Sequence, residues 1–457
     1  MLPNFFGIRI ETLGCRLNQT ESEGLAFIFA KSGFPIFSKE KDNGEIALCV
    51  INTCTVTSKA EQKARRLIRL LLKTHKNACV LVTGCYAELE AKAIEALDER
   101  VISFSGKKKD ALSLLPAYMK EQLNYLEKFD AKIVKDIIVS FKKETIDKAY
   151  NIPIAVAFKP SLKKLFSLSS PSFMFHSRAT LKVQDGCNNS CSFCRIRIAR
   201  GKSISLPVSE AINRIKEIEE KGANEVVLTG VNLSQYESNG FNFTSLLEAL
   251  LKNTQHIRIR ISSLYPETIT EEIASIIKEK RICPHFHLSI QSGSDDILQK
   301  MNRRYRLKDV YIAVERIRCA KEKPFIGSDI ITGFPSESDE DFFKTVSMCK
   351  DLKFTGIHAF PFSCRPGTLA FNMKEKIAER IACERVELLN QIAKINYDEY
   401  LELCQHEKML AIVELNSSNK LFVTTENYLH LPLITTKKHS AGDEVKVRIE
   451  KDEAVLI

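Results

Sequence analysis

Cys187, Cys191 and Cys194 lie in the run Asp185-Gly-Cys-Asn-Asn-Ser-Cys-Ser-Phe-Cys-Arg195, and this C-x3-C-x2-C spacing constrains the chain more than any other feature. Three thiolates from one tight loop can hold three irons of a [4Fe–4S] cube, and no fourth cysteine follows locally. Such clusters ordinarily take four cysteines, and a structural zinc also closes with four ligands. The missing ligand leaves one iron free for another group, which points to a cluster that does chemistry. The plainer readings are three unrelated thiols, or a zinc loop completed by a distant histidine.

A second set of cysteines is scattered along the chain but regular in placement. Residues 6–13, 45–51 and 78–83 read as strands, the latter two as continuous apolar runs of the kind buried parallel strands show. Cys15, Cys54 and Cys85 follow them in turn. Between the last two, residues 58–76 carry a helical stripe of Ala64, Leu67, Ile68, Leu71 and Leu72. In an open parallel sheet the loops after strands gather at one edge, where ligands bind. The pattern therefore predicts that these three thiols meet, with Gly14 and Gly84 allowing close backbone approach. Again no fourth thiol is evident, and a second cluster with an open iron is expected; three unconnected buried cysteines are the alternative. Cys49, Cys79, Cys319 and Cys349 sit in apolar or helical patterns and read as small hydrophobes. Cys283, Cys364, Cys383 and Cys404 show no ligand spacing and are expected to be structural.

At 457 residues the chain should hold two or three domains. Strand-like segments at 179–184, 225–229, 258–262, 286–290, 325–331 and 356–360 alternate with helical periodicity at 208–221, 270–280 and 308–320, which means a parallel sheet. Function then belongs at the strands' C-terminal ends, at or near which Gly230, Gln291 and Asp329 fall. The last 55 residues turn to short strands at 410–414, 421–425 and 444–449, suggesting a small β-barrel. The expected fold class is α/β: a doubly wound parallel-sheet domain at 5–118, a basic connecting segment at 119–176, a central (β/α) domain at 177–400 and a β-barrel at 403–457.

The net charge of +10 points to a polyanionic partner. Residues 107–178 contain fourteen Lys/Arg against seven Asp/Glu, fitting either a solvated surface or phosphate contact. Residues 401–457 contain seven against nine, so only a local patch at Lys437, Lys438, Lys446 and Arg448 could grip RNA there. No apolar stretch approaches the ~20 residues that span a bilayer. The N-terminus lacks a basic start and cleavage site, so a soluble, cytoplasmic protein with no membrane partner is expected.

The radical-type loop resembles the signature of radical S-adenosylmethionine (SAM) enzymes, in which the open iron chelates SAM. Thr12-Leu-Gly-Cys-Arg-Leu-Asn18, Ile51-Asn-Thr-Cys-Thr-Val56 and Val82-Thr-Gly-Cys-Tyr-Ala87 precede it. Glu225-Val-Val-Leu-Thr-Gly-Val-Asn232, Arg260-Ile-Ser-Ser263, His287-Leu-Ser-Ile-Gln-Ser-Gly-Ser294, Ser328-Asp-Ile-Ile-Thr-Gly-Phe-Pro335 and Pro361-Phe-Ser-Cys-Arg-Pro-Gly-Thr368 follow it. This ordered set resembles the radical SAM methylthiotransferases, enzymes that place a CH3–S group on tRNA or on a ribosomal protein.

The resemblance implies two [4Fe–4S] clusters, on Cys15, Cys54 and Cys85 and on Cys187, Cys191 and Cys194, with the first carrying the sulfur. It implies SAM bound beside the backbone of Phe193, Gly230 near its amino group, and Gln291 and Asp329 facing its pocket. No catalytic side chain is implied beyond the cluster ligands. A partial (β/α)6 barrel and a TRAM-like RNA-binding barrel complete the expected architecture. Expected partners are a tRNA anticodon loop, a flavodoxin- or ferredoxin-like electron donor and a sulfur source. Residues 14–19 and 365–368 resemble the bacterial branch acting on N6-threonylcarbamoyladenosine at tRNA position 37. The branch acting on N6-isopentenyladenosine is second, and modification of a ribosomal protein aspartate third. Relatives usually carry proline and an aromatic where this chain has Arg197 and Ile198, which removes a fixed φ and a stacking surface. Two further readings are a zinc-holding RNA-binding protein and a radical SAM enzyme with a degenerate N-terminal domain.

Overall fold

The computed structural model describes residues 6–37, 45–123, 130–147, 166–416 and 420–457. The chain divides into two compact units. The first is Met1–Phe175 together with Asp185–Asn188 and Arg195–Lys202; the second is His176–Gln184, Asn189–Cys194 and Ser203–Ile457.

In the first unit, β1 (Gly7–Thr12), β2 (Ile36–Phe37), β3 (Ile46–Thr53), β4 (Cys79–Gly84) and β5 (Val101–Ser103) form an all-parallel sheet in the order β2-β1-β3-β4-β5. This is the flavodoxin-like order, in which the connections reverse direction between β1 and β3. Alternation along β3 supplies both faces. Leu48 and Val50 join one core with Phe29 of α1 (Arg16–Lys31), while Cys49 and Ile51 join another with Ala64, Ile68 and Leu71 of α2 (Ser58–Thr74). Thr57 caps α2 by accepting from the Ala60 N–H at 3.1 Å, which fixes where the helix leaves the Cys54 loop. The short helices α3 (Cys85–Leu89) and α4 (Ala91–Glu95) follow β4.

The expected basic connection at 119–176 is in part core. After α5 (Leu115–Leu123), helix α6 (Ala131–Lys142) buries Ala131, Val134, Ile138 and Phe141 at helical spacing, with Asp130 capping its start. Its lysines lie on the other face, so the charge count hid the apolar period. The remainder of that segment at 124–129 and 148–165 lies outside the described residues.

The flank of the radical-type loop contributes β7 (Gln184–Asp185), directly after β6 (Ala179–Lys182), and α7 (Ile196–Arg200), followed by β8 (Ile204–Ser205). Strand β6 opens the second unit's main sheet. It continues with β9 (Glu225–Thr229), β10 (Arg258–Ile261) and its continuation β11 (Ser263–Leu264), then β12 (His285–Gln291), β13 (Phe325–Thr332) and β14 (Gly356–Pro361). Every pairing is parallel and sequential: β6 to β9, β9 to β10, β11 to β12, β12 to β13, and β13 to β14. Six βα units in succession make a partial (β/α)6 barrel, with the sheet turning at Ser262 between β10 and β11. The crossover helices are α8 (Val208–Glu220), α9 (Phe243–Asn253), α10 (Glu271–Ile276), α11 (Asp295–Lys300), α12 (Leu307–Ala320) and α13 (Asp339–Asp351).

Helix α14 (Glu379–Leu403) packs on β14 and leads into a closed barrel of β15 (Lys408–Leu415), β16 (Leu421–Thr425), β17 (His430–Ile434), β18 (Glu444–Glu450) and β19 (Glu453–Leu456). The sequence reading found three of these five strands. It missed β17, whose Pro432 argues against a strand, and β19, only four residues long. The barrel is bolted to the sheet by buried charge. Arg260 binds Glu225 with both arms (2.7 and 2.8 Å) and donates to the carbonyls of Thr425 and Glu426. Burial alone would raise the Glu225 carboxyl, but Arg260, Arg178 and Arg258 pull it down to about 2. No helix among the described residues is long and apolar enough to cross a membrane.

Phe141 stacks on Phe104 at 6.1 Å and is 1% exposed. Phe141→Ala is expected to lower the unfolding free energy by about 3–5 kcal/mol, measured as a urea midpoint; a change under ~0.5 kcal/mol would mean α6 is only a surface connection.

Candidate functional site

Cys54 and Cys85 directly follow β3 and β4, and Cys15 follows β1 after Leu13 and Gly14, at the point where the connections reverse. The structure brings these loops together. Gly14 has φ +118°, and a Cβ there would lie 2.6 Å from the Cys54 Cβ and 3.3 Å from its Sγ. A side chain at 14 would thus fill the space beside the thiol. Gly84 (φ +92°) lets β4 end against the Thr53 carbonyl, only 2.4 Å from where its Cβ would be. The thiols sense one another. Burial, then Cys15 and Cys85, push the Cys54 thiol up to about 12, and burial raises Cys85 against the pull of Arg200 and Lys109. Groups that must shed protons to ligate are here held in an apolar recess with cations close by.

Those cations belong to a buried network. The Arg200 side chain is 2% exposed and donates to Glu21 (3.0 Å), Asp185 (2.9 Å) and Asn18 Oδ1 (2.6 Å). Lys109 lies 2.9 Å from Glu21 and 3.9 Å from Asp185. Asn18 spends its other end on the carbonyls of Leu13 and Thr53, at 2.8 and 3.0 Å, tying the Cys15 loop to the Cys54 loop. The Cys15 thiol points at the same Asn18 oxygen from 3.8 Å. Arg195, just after Cys194, reaches Glu61 and Glu90 at 3.4 Å, and Glu61 accepts from Thr55 beside Cys54. Sequence reasoning missed this network. Its signal was present in Asn18, Glu21 and Arg200 standing beside the motif cysteines.

The radical-type loop begins at Gly186, whose φ of +68° and 2.0 Å approach of a Cβ to the Lys202 carbonyl exclude any side chain. Cys187 is buried, and its N–H donates to Gly201 O at 3.1 Å. In the second unit, Cys191 and Cys194 are half-buried, on a turn closed by Cys194 N–H to Cys191 O at 3.1 Å. Ser192 anchors the turn through Met301 O and Lys300 O, and its own carbonyl accepts from Ala370. Arg303, also unforeseen, donates to the Cys191 Sγ at 3.4 Å while lying 5.7 Å from the Phe193 ring and 4.6 Å from Tyr265. Phe193 packs against the cluster of Ile297, Met301, Ile331 and Phe334.

Gly230 follows β9 directly, and a Cβ there would strike Leu233 and Gln184 at 2.7 and 3.0 Å. Gln291 ends β12 in the left-handed region (φ +78°) while buried, where the register to β13 shifts; such backbone in a residue with a side chain is characteristic of functional sites. Asp329 lies near the end of β13, three residues before Thr332, where it pairs with His287 and His358. Arg197 and Ile198 are exposed on α7, whose Gly201 N–H to Arg197 O bond fixes the turn without proline. In the C-terminal barrel, Lys446 and Arg448 share the outward face of β18, with Arg448 paired to Glu450; Lys437 and Lys438 are exposed.

Two family profiles match: the radical SAM superfamily over residues 181–349 and Uncharacterized protein family UPF0004 over residues 7–106. A protein of Treponema pallidum named threonylcarbamoyladenosine tRNA methylthiotransferase MtaB is 47% identical over 99% of this chain and 100% of its own length. Its namesake from Thermotoga maritima is 34% identical over 85% of this chain and 82% of that one. This chain belongs to the radical SAM methylthiotransferase family. Among solved structures, the radical SAM methyltransferase TsrM from Kitasatospora setae, holding cobalamin and a [4Fe–4S] cluster, aligns with a TM-score of 0.52 at 13% identity. That alignment covers 80% of this chain and 77% of TsrM, and it establishes the likeness of fold alone. Membership in the radical SAM superfamily carries with it a [4Fe–4S] cluster and SAM.

Removing one member of the buried network leaves charge without a partner. Arg200→Met is expected to cost about 3–5 kcal/mol in unfolding free energy, read from denaturant midpoints. Arg200→Lys should recover only part, since an ammonium cannot span Asn18, Glu21 and Asp185 together.

Proposed function

We propose that this methylthiotransferase adds a methylthio group to C2 of N6-threonylcarbamoyladenosine at position 37 in a tRNA anticodon loop. The observation that carries the reading is the meeting of three post-strand thiols at the switch point of the first unit, in a chain that also carries the C-x3-C-x2-C loop. The names of the two relatives supply the substrate class.

Two [4Fe–4S] clusters are proposed, one on Cys15, Cys54 and Cys85 within residues 5–118, the other on Cys187, Cys191 and Cys194 within residues 177–400. Several features support the fit. Sulfurs sharing a single zinc at ~2.3 Å lie within about 4.6 Å of one another. Among the described residues the one trio of donors drawn within 4.8 Å is His287, Asp329 and His358, not the N-terminal cysteines. Their wider spacing suits a polynuclear cluster, and the space kept open by Gly14 suits a bulky one.

When bound, SAM on the second cluster supplies a hydrogen abstractor strong enough for an aromatic C–H, and the first cluster supplies the sulfur. The chain's own side chains bind and orient. Arg303 offers positive charge to the sulfur of Cys191, and Asn18 holds the Cys15 and Cys54 loops at fixed separation. Phe193, Gly230 and Gln291 are proposed to line the SAM pocket, with Asp329 one level below. Residues 403–457 are proposed as the RNA-binding TRAM-like barrel. A separate electron donor and a sulfur source complete the reaction, and a cytoplasmic location follows from a tRNA substrate.

In a strain lacking the gene, nucleoside mass spectrometry of tRNA should show the 2-methylthio derivative of N6-threonylcarbamoyladenosine gone and the unthiolated form in its place. Loss of the isopentenyl derivative instead would move the chain to the other branch. Cys54→Ala should lower bound iron from about eight to about four per chain and abolish methylthiolation while SAM cleavage persists. Survival of methylthiolation would refute sulfur delivery from the N-terminal thiols.

A further inference from the structure

The interior face of the second unit's sheet carries three side chains that neither cluster explains. Crossover helices cover the outer face, where Leu288, Ile330 and Ile357 are buried. On the opposite face, His287 of β12, Asp329 of β13 and His358 of β14 converge. His287 Nε2 lies 2.9 Å from Asp329 Oδ1, and His358 Nδ1 lies 3.5 Å from the same oxygen. Asp329 and His358 are direct cross-strand partners. His287 stands opposite Gly327, where a Cβ would come within 2.8 Å of its Nδ1, so the glycine makes room for the ring. The two imidazoles are 5.0 Å apart.

Exposure separates the three. The side chains of His287 and Asp329 are 12% and 26% exposed, whereas that of His358 is 71% exposed. The trio is therefore a supported histidine: two members hold the third, and the third reaches outward. Asp329 engages its Nδ1, which leaves Nε2 as the outward atom. An imidazole that donates from Nδ1 can donate from Nε2 only when protonated. The hydrogen bond to Asp329 raises the His358 pKa against burial, favouring that donor form. Asp329 and His287 are the titratable groups facing it from β13 and β12, and no charged group of α14, packed on β14, contributes to its shift.

We propose that His358, held by Asp329, binds the carboxylate of the amino-acid group on the substrate adenosine and thereby selects a threonylcarbamoyl over an isopentenyl substituent. The inference rests on the proposed substrate and deepens it. A threonine joined to N6 through a carbamoyl keeps its carboxylate free, while an isopentenyl group offers a hydrogen-bond donor nothing. An imidazolium–carboxylate contact is charge-assisted and so among the stronger hydrogen bonds. His358 is accordingly a specificity residue, and Asp329 and His287 position it.

The test uses the holoenzyme and tRNA carrying N6-threonylcarbamoyladenosine, either with its carboxylate free or converted to the methylamide. Binding is measured by fluorescence anisotropy and turnover by nucleoside mass spectrometry. Wild type is expected to prefer the free acid by about tenfold or more, mostly in KM. That preference should fade as pH rises through the raised His358 pKa, while the amide stays flat. His358→Asn should bind acid and amide alike, and His358→Arg should restore the preference. If His358→Asn discriminates as wild type does, the contact is wrong. Discrimination lost with EDTA and regained with zinc would overturn it too, in favour of an ion held by the trio. A wild-type enzyme that modifies isopentenyl-bearing tRNA instead would sink the substrate reading itself, a result distinct from either.

Discussion

Burial of Arg200 and Lys109 against Glu21 and Asp185 is the interaction on which the first unit's thiol site depends. Four charges taken from water cost more to desolvate than a well-packed apolar set of equal volume would, so stability alone does not call for them. What apolar side chains cannot do is aim Asn18. Its oxygen is fixed by Arg200 and its amide by the carbonyls of Leu13 and Thr53. Through that one side chain the loops bearing Cys15 and Cys54 share a register. Because Asp185 and Arg200 flank the C-x3-C-x2-C loop on either side, the same ion pairs fold both flanks into the N-terminal unit.

The second unit uses carboxylates on strands in the same manner but to two ends. Glu225, buried at the start of β9, gathers Arg260, Arg258 and Arg178 and so fastens the C-terminal barrel to the sheet. Asp329, on β13, meets two histidines, of which His358 is exposed and has its pKa raised by the contact. Burial raises the Asp329 carboxyl, and the hydrogen bonds from His287 and His358 outweigh it, holding the group well below the usual range. The first arrangement is permanently ionised and mechanical. The second can respond to what approaches it.

Much of this was legible in the residues. Strand-like runs followed by a cysteine marked three of the first unit's five strands, β1, β3 and β4, to within about two residues, while the short edge strands β2 and β5 carried no such signal. The six barrel strands were equally clear, because short β-type runs recur between amphipathic crossovers, although Arg258, Arg260, His287, Asp329 and His358 interrupt their apolar character. What stayed hidden was pairing across distance. Arg200 meets Glu21 across 179 residues, and Arg260 meets the Thr425 carbonyl across 165. No local pattern announces such partners. Helix α6 was hidden for another reason: the net positive charge of the wider 107–178 stretch drew attention from an apolar period that recurs correctly within the helix. Asp329 lies near the C-terminal end of its strand, as the spacing expects, with β13 running one residue further than read, to Thr332.

The departure at Arg197 and Ile198 shows why some motif positions tolerate change. Proline serves by fixing φ and by lacking an N–H that the first turn of a helix leaves unused. Position 197 lies in the first turn of α7, where helical hydrogen bonds set φ for any residue, as the Gly201 N–H to Arg197 O bond illustrates. Gly186 and Gly14 have no such freedom, because a methyl group at either would occupy space already taken by the Lys202 carbonyl or by Cys54. The three arginines of the segment also divide by burial. Arg195 and Arg200 are engaged by acids of the first unit, whereas Arg197, the residue that departs from the pattern, is exposed. The loop's geometry is thus set here by the helix and the glycines, and its exposed surface carries one guanidinium and one aliphatic side chain at 197 and 198.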